Sequence, residues 1–128
     1  MSSIFTKIVN GEIPSYKIAE DEKHFSFLDV MPLAEGHTLV IPKKETDFIF
    51  DLEHEDFKNL WSFAQKVAKK LQKTYPEKRI AVAVVGLEVP HAHIHLVPIS
   101  NIGDLNFQNE RLKFSTEEYL EIRDKILG

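Results

Sequence analysis

The sequence predicts one α+β domain that spans residues 1–128. Segments typical of strands follow one another with only short turns between them, and this order favours antiparallel pairing over a parallel sheet. A long amphipathic helix separates the first three of these segments from two more, and a helix-capping sequence lies near the end of the chain. A hydrophobic content of 43% suits one core at this length rather than two.

The first half of the chain predicts a short helix and three strands. Residues 3–9 place their apolar side chains on one helical side, and Asn10-Gly11 ends the helix because both residues tolerate the left-handed conformation. Alternating or β-branched apolar residues then predict strands over residues 16–20, 24–28 and 37–41. A turn at 21–23 and a loop at 31–36, punctuated by proline and glycine, separate the three strands.

The second half begins with the long helix. Apolar residues recur with helical spacing from Phe57 to Leu71, and Pro76 prevents the helix from continuing. Residues 79–85 alternate alanine and valine with isoleucine, which predicts a well-buried strand. After a loop, a further strand is predicted over residues 92–98.

The chain ends with a predicted C-terminal helix that follows an irregular polar segment at 101–114. Ser115 and Glu118 have the spacing of a capping box, and Phe114 is placed to pack against Tyr119. The complete prediction is a five-stranded antiparallel sheet with a short N-terminal helix, one long helix and a C-terminal helix.

Composition excludes several classes of protein and site. The formal net charge of −4 gives no general attraction to nucleic acid. The absence of cysteine excludes disulfides, thiolate metal sites and a cysteine nucleophile. No apolar run approaches the roughly 20 residues that cross a membrane, and the N-terminus lacks a secretory-signal pattern. We therefore expect a cytoplasmic protein whose partners include neither nucleic acid nor membrane.

Three histidines, His91, His93 and His95, alternate with apolar residues in the last predicted strand. Successive side chains of a strand point to opposite faces, so the three imidazoles share one face and the apolar residues between them can face the core. A histidine-rich exposed face without function is the simplest alternative. Half of the six histidines lie within five residues, between apolar neighbours, and this clustering favours a functional site.

Two chemistries fit such a row of imidazoles. The first is metal binding, but alternate residues of a strand lie about 7 Å apart, so three in one row do not converge easily on a tetrahedral ion. The second is covalent catalysis at phosphorus. A neutral imidazole is nucleophilic, and a middle histidine can attack while its neighbours orient it and donate to phosphate oxygens.

With these residues the chain resembles the histidine triad (HIT) family, in its Hint-like branch. The family signature, histidines alternating with apolar residues, appears here over residues 91–97. The segments at 4–15, 27–32 and 36–43 are also similar to that family and occur in the same order. The resemblance covers nearly the whole chain. It implies the HIT-like fold and a homodimer formed through the long helix and an edge strand.

The resemblance also implies a hydrolase or transferase that acts at the α-phosphate of purine nucleotides through a nucleotidyl-histidine. The substrate class would be nucleoside phosphoramidates or dinucleoside polyphosphates. His93 would be the nucleophile, and His95 would contact phosphate. His91 would orient from the same face, and His37 would approach from the neighbouring strand. Asp29 would accept hydrogen bonds from the ribose hydroxyls, and the base would lie among Ile4, Phe5, Ile8, Phe27 and Val30.

Two departures from the family concern metal and phosphate. Many relatives hold zinc with a Cys-x-x-Cys pair and a later histidine, where this chain has Ser3, Thr6 and Glu45, so we expect neither a metal nor another cofactor. Relatives also place Asn and Gln ahead of the triad. Here residues 84–90 form a shorter segment that lacks both and contains Glu88, whose carboxylate would repel phosphate. A nucleotide-binding protein with little turnover and a histidine-based metal-binding protein therefore stay open as alternatives.

Overall fold

A computed structural model describes residues 2–128 of the chain. Within these residues it has three helices, α1 (Ile4–Val9), α2 (His54–Thr74) and α3 (Thr116–Leu127). It has five strands, β1 (Lys17–Glu20), β2 (His24–Leu28), β3 (Thr38–Pro42), β4 (Arg79–Ala83) and β5 (Ile94–Ile99). Short 3₁₀ turns lie at Ile49–Asp51 and Ile102–Asp104.

The strands form one sheet in the order β1-β2-β3-β5-β4. Every neighbouring pair is antiparallel, which confirms the predicted α+β class and the five-stranded antiparallel sheet. His95 of β5 lies opposite Leu39 of β3 on one side and Ala83 of β4 on the other. Directly opposed residues of an antiparallel pair share a face, so these three side chains lie on the same face of the sheet.

The two faces of the sheet have different covers. On one face α2 and α3 bury the larger core, which includes Val40, Ile94 and Leu96. On the other face a smaller apolar cluster around Phe5 and Phe27 packs under α1. The odd-numbered positions of β5 point to this second face. The sheet therefore places the histidines on the side of α1, away from the larger core.

Both predicted terminal helices are confirmed. Ser3 caps α1, since its Oγ accepts a hydrogen bond from the Thr6 N–H at 3.1 Å. At the start of α3, Ser115 and Glu118 make both hydrogen bonds of a capping box. The rings of Phe114 and Tyr119 meet edge to face with centroids 5.4 Å apart, the contact that the sequence predicts.

The strand at residues 79–85 was predicted to be well buried, and this is wrong. β4 is an edge strand that ends at Ala83, and Val82 remains 46% exposed. Alternating alanine and valine predicts a strand but not which strands lie beside it, and within residues 2–128 β4 pairs only with β5.

The predicted bounds of β5 and α2 also need correction. β5 begins at Ile94 rather than at residue 92 because the Ala92 N–H bonds to the Thr46 carbonyl instead of to the ladder. α2 extends beyond the predicted 57–71 at both ends and includes His54 to Thr74. Among the helices in residues 2–128, none is both long and apolar enough to cross a membrane.

Candidate active site

Four histidines meet on the α1 side of the sheet. His91 and His93 precede β5 and His95 lies within it, while His37 lies just before β3. All four are at most 7% exposed. The residues between the triad histidines, Ala92 and Ile94, belong to the core on the opposite face. The predicted separation of imidazole and core faces is therefore confirmed, although only His95 of the three lies in a paired strand.

Within residues 2–128, His93 makes a hydrogen bond through only one of its two ring nitrogens. Its Nδ1 lies 2.7 Å from the backbone carbonyl of His91, and since a carbonyl only accepts, Nδ1 bears the hydrogen. In the neutral ring Nε2 therefore keeps a lone pair. The ring lies edge-on to Phe5, with centroids 5.0 Å apart, and its centroid is 4.9 Å from that of His95. A fixed ring with an unprotonated Nε2 is what nucleophilic attack requires.

His37 and His95 form a directed chain of hydrogen bonds. The Leu33 N–H donates to Nδ1 of His37 at 2.9 Å, which places the hydrogen of the neutral His37 ring on Nε2. That Nε2–H donates to Nδ1 of His95 at 3.0 Å. His95 must then bear its own hydrogen on Nε2. The chain starts at a backbone amide and ends at a donor on the same face as His93.

Burial keeps both rings of this chain neutral. Removal from water lowers the pKa of His37 and the pKa of His95 from the ordinary 6.5 to about 3, and the positive charge of Arg111 acts in the same direction. The two rings are 1% and 7% exposed, respectively. At neutral pH the pair therefore acts as hydrogen-bond donors without a net charge.

Asp29 lies beside His37, the first ring of this chain. Its Oδ1 accepts from the Met31 N–H at 2.8 Å, and its Oδ2 is 3.4 Å from Nε2 of His37. Burial raises the pKa of Asp29, while the Met31 N–H and the Arg111 charge oppose the shift. The side chain stays 15% exposed. Oδ2 thus has room to accept a hydrogen bond from a ligand.

His91 has a different environment from the other two triad histidines. Its ring is fully buried, with Nε2 2.7 Å from the Pro42 carbonyl and Nδ1 2.8 Å from Ser3 Oγ. Both ring nitrogens are therefore occupied by the protein. His91 can orient the site, but its ring has no free atom for a ligand.

The structure brings together part of the predicted base pocket. Phe5 and Phe27 are buried and meet edge to face with centroids 5.5 Å apart, and Ile8 packs against their cluster. Ile4 and Val30 are 49% and 66% exposed and lie outside this cluster. The structure thus groups Phe5, Phe27 and Ile8 and leaves Ile4 and Val30 at the surface.

Sequence reasoning missed Phe107 and Arg111, which reach the site from the irregular segment at 101–114. The Phe107 ring covers His95, with centroids 4.7 Å apart, and the Arg111 guanidinium carbon lies 5.5 Å from the centre of the Phe107 ring. Arg111 also donates to the Met31 carbonyl at 2.7 Å. In the sequence these two residues stand out only as an aromatic and a cation within a polar segment, and they belong to no periodic pattern that would place them near the histidines.

One group of side chains in residues 2–128 has the composition of a metal site. Asp29, His37 and His95 each offer a ligand atom, and these atoms lie within 4.8 Å of one another. The hydrogen bonds oppose binding, however. Nδ1 of His37 already accepts from Leu33, so its Nε2 bears the hydrogen and has no lone pair for a metal.

We expect the purified protein to contain no stoichiometric zinc and to keep its melting temperature in chelator. Ser3, Thr6 and Glu45 offer hydroxyl and carboxylate oxygens where many relatives have thiolates and an imidazole, and such oxygens favour zinc less than those softer ligands do. Elemental analysis beside a thermal melt with and without EDTA checks this. One tightly held zinc per chain, lost together with the folded state, contradicts it.

Comparisons with known proteins identify the family of this chain. The HIT domain family matches residues 10–102. Adenosine 5'-monophosphoramidase HNT1 of Saccharomyces cerevisiae is 38% identical over 96 residues, which are 74% of this chain and 61% of that protein.

Two solved structures have the same fold. A Hit-like protein from Bartonella henselae has a TM-score of 0.84 and 33% identity, covering 98% of this chain and 94% of that one. A zinc-bound histidine triad family protein from Mycobacterium smegmatis has a TM-score of 0.74 and 30% identity, with 98% and 94% covered.

Proposed function

The chain belongs to the HIT domain family, and from this premise we propose that it hydrolyses or transfers nucleotides at the α-phosphate through a nucleotidyl-histidine. The observation that supports this most is the state of His93. Its Nδ1 is held by the His91 carbonyl at 2.7 Å, and its Nε2 is left with a lone pair. The substrate class would be purine nucleoside phosphoramidates or dinucleoside polyphosphates, and the name of the yeast relative, an adenosine 5'-monophosphoramidase, favours the first of these.

In the proposed reaction, Nε2 of His93 attacks the α-phosphorus. The bond from Nε2 to phosphorus forms as the bond from phosphorus to the leaving group breaks, and the leaving group takes up a proton from solvent while His93 keeps its Nδ1–H. Water then cleaves the bond between Nε2 and phosphorus, which releases the nucleoside monophosphate, returns one proton to solvent and restores neutral His93. Two easier steps thereby replace one difficult one.

Charge on the phosphate oxygens must be balanced during both steps. The Nε2–H of His95 is the donor that the chain from His37 directs to this face, and the Arg111 cation lies close enough to act electrostatically on both rings. Glu88 acts against them, since its carboxylate lies close enough to Asp29 to raise the pKa of that group. Because the Glu88 carboxylate opposes the groups that stabilise negative charge on phosphate, turnover can be slow. A nucleotide-binding protein with little turnover is therefore the second candidate.

Turnover separates the two candidates. A panel of adenosine and guanosine phosphoramidates, assayed for release of the nucleoside monophosphate, should show catalysis with at least one purine. AMP binding measured by calorimetry on the same sample is the control. Binding of AMP without release from any panel member would leave only the binding function.

Asp29 is proposed to recognise the ribose. Replacing it with alanine should weaken the binding of a ribonucleotide by about 1–3 kcal/mol, because a hydrogen-bonding carboxylate is lost. The binding of a 2′,3′-dideoxy analogue should change little, because this analogue lacks the ribose hydroxyls. Asp29→Asn is the matched control for the local turn, since it keeps an oxygen for the Met31 N–H. If Asp29→Ala weakens the binding of both ligands equally, Asp29 has a structural role and does not recognise the ribose.

A homodimer is the proposed assembly, and the edge of the sheet supports it. β4 leaves one row of backbone groups unpaired, and edge strands of this kind readily pair with another chain. Val82 lies opposite Leu96 and so shares the face that α2 covers, yet it is 46% exposed. On α2, the Trp61 Nε1–H is buried without an acceptor in residues 2–128.

Sedimentation velocity at micromolar concentration should therefore give a dimer. Val82→Lys should shift the protein toward monomer, because a charge would enter a self-complementary apolar interface. Leu127→Lys, which places the same charge on an equally exposed apolar residue at the end of α3, is the control for added charge alone. A monomeric wild-type protein would rule the dimer out.

A further inference from the structure

The three residues Ser3, Thr6 and Glu45, here called the clasp, form one hydrogen-bonded group with His91. The Ser3 backbone N–H donates to Glu45 Oε1 at 2.6 Å, and the Thr6 hydroxyl donates to the same oxygen at 2.8 Å. Ser3 Oγ lies 2.8 Å from Nδ1 of His91. The clasp thus joins the start of α1, the segment after β3 and the first triad histidine.

The direction of each hydrogen bond follows from its partners. Nε2 of His91 faces the Pro42 carbonyl at 2.7 Å and must bear the hydrogen of the neutral ring. Burial lowers the pKa of His91, which favours that neutral ring. Nδ1 is then an acceptor, and the Ser3 hydroxyl is its closest donor. Because the Thr6 hydroxyl is engaged by Glu45, the Ser3 hydroxyl is left for His91.

His91 passes this constraint to His93. The carbonyl of His91 accepts from Nδ1–H of His93 at 2.7 Å, so the position of the His91 backbone sets the tautomer and tilt of the next imidazole. Phe5, in the helix that Ser3 caps, contacts both rings, with centroids 5.9 Å from His91 and 5.0 Å from His93. The clasp is therefore connected to the His93 ring in two ways, through the His91 carbonyl and through Phe5.

We propose that Ser3 is a positioning residue for His93, acting through the clasp and the ring of His91. The proposal rests on the proposed function for its effect on turnover, and on the hydrogen bonds alone for its effect on the ring nitrogens. Loss of the Ser3 hydroxyl leaves buried Nδ1 of His91 with only the Thr6 hydroxyl nearby, which is 3.4 Å away and already donates to Glu45. The His91 ring or its backbone then moves, and Nε2 of His93 loses its alignment.

The test compares Ser3→Gly with wild-type protein. Glycine is a tolerable N-cap, so the hydroxyl is removed with little loss of helix. With an activated AMP ester, kcat should fall about tenfold, which corresponds to one buried group left without its hydrogen bond, while KM changes little. Ser3→Thr keeps the hydroxyl and should restore kcat. Ser115→Gly removes the equivalent cap of α3, far from the triad, and should leave kcat unchanged.

A second readout does not need turnover. Long-range ¹H–¹⁵N spectra of the histidine rings should show Nδ1 of His91 and both nitrogens of His93 shifted in Ser3→Gly and unshifted in Ser115→Gly. Unmoved His93 nitrogens, or wild-type kcat in Ser3→Gly, would overturn the proposal. Should the wild-type protein release no nucleotide, the proposed function fails, and the nitrogen shifts still decide whether Ser3 positions His93.

Discussion

Replacing His93 with alanine should lower kcat for an activated AMP ester by roughly 10³-fold or more, since loss of a covalent nucleophile in a hydrolase costs about this much or more. Nε2 of this ring is the nitrogen that keeps a lone pair, because Nδ1 bears the hydrogen that is donated to a carbonyl at 2.7 Å. AMP affinity should change little, because in the proposed site binding depends on Asp29 and the apolar residues. Steady-state kinetics and calorimetry on the same variant measure the two quantities.

His54→Ala is the control for this experiment, since His54 is exposed at the start of α2 and lies outside the site. It should leave kcat unchanged. Replacing His91 or His95 should slow the reaction less than replacing His93, because these rings orient or donate rather than attack. Full activity in His93→Ala would remove the proposed mechanism.

As the pH is lowered, the folded protein should begin to lose stability at pH values well above those at which carboxylates ordinarily titrate. The folded pKa of His37 and of His95 is about 3, below the ordinary 6.5, so the unfolded chain binds more protons than the folded one between these values. Stability is therefore complete above pH 6.5 and falls as the pH drops toward 3. Each histidine contributes a slope of about 1.4 kcal/mol per pH unit. The raised pKa of Asp29 acts in the opposite direction, but it is one group against two.

Urea unfolding at pH 7.5, 6 and 5 measures this dependence. Between pH 6.5 and 5 the two rings together remove at most about 4 kcal/mol, a large share of the roughly 5–15 kcal/mol that stabilises a domain. His37→Asn should lower the slope of unfolding free energy against pH by the contribution of one histidine, about 1.4 kcal/mol per pH unit. His54→Asn should leave this slope unchanged. A midpoint that stays constant from pH 7.5 to 5 would mean that neither ring is held neutral.

Much of the fold could be predicted because its signals are local. The capping box at Ser115, the glycine that ends α1 and the apolar alternation of β2 each depend on a few neighbouring residues. The edge position of β4 could not be predicted in this way. Which strands flank a segment depends on the whole topology, and alanine and valine fit a central strand as well as an edge.

The candidate site could be predicted in its residue types but not in the state of each ring. Period-two spacing places the triad imidazoles on one face, yet it treats all three as equivalent. The structure distinguishes them by partners from elsewhere in the chain: the Pro42 carbonyl for His91, a backbone carbonyl for His93 and a ring nitrogen of His37 for His95. Phe107 and Arg111 escape prediction for the same reason, since an irregular segment brings them back over the site.

The most direct test of the proposed mechanism is to trap the covalent intermediate. Rapid quenching of the protein with an activated AMP substrate under alkaline conditions, followed by peptide mass spectrometry, should find one AMP group on His93. The adduct should be absent from the His93→Ala protein under the same conditions. AMP attached to another residue, or turnover with no adduct on His93 at any quench time, would contradict the account.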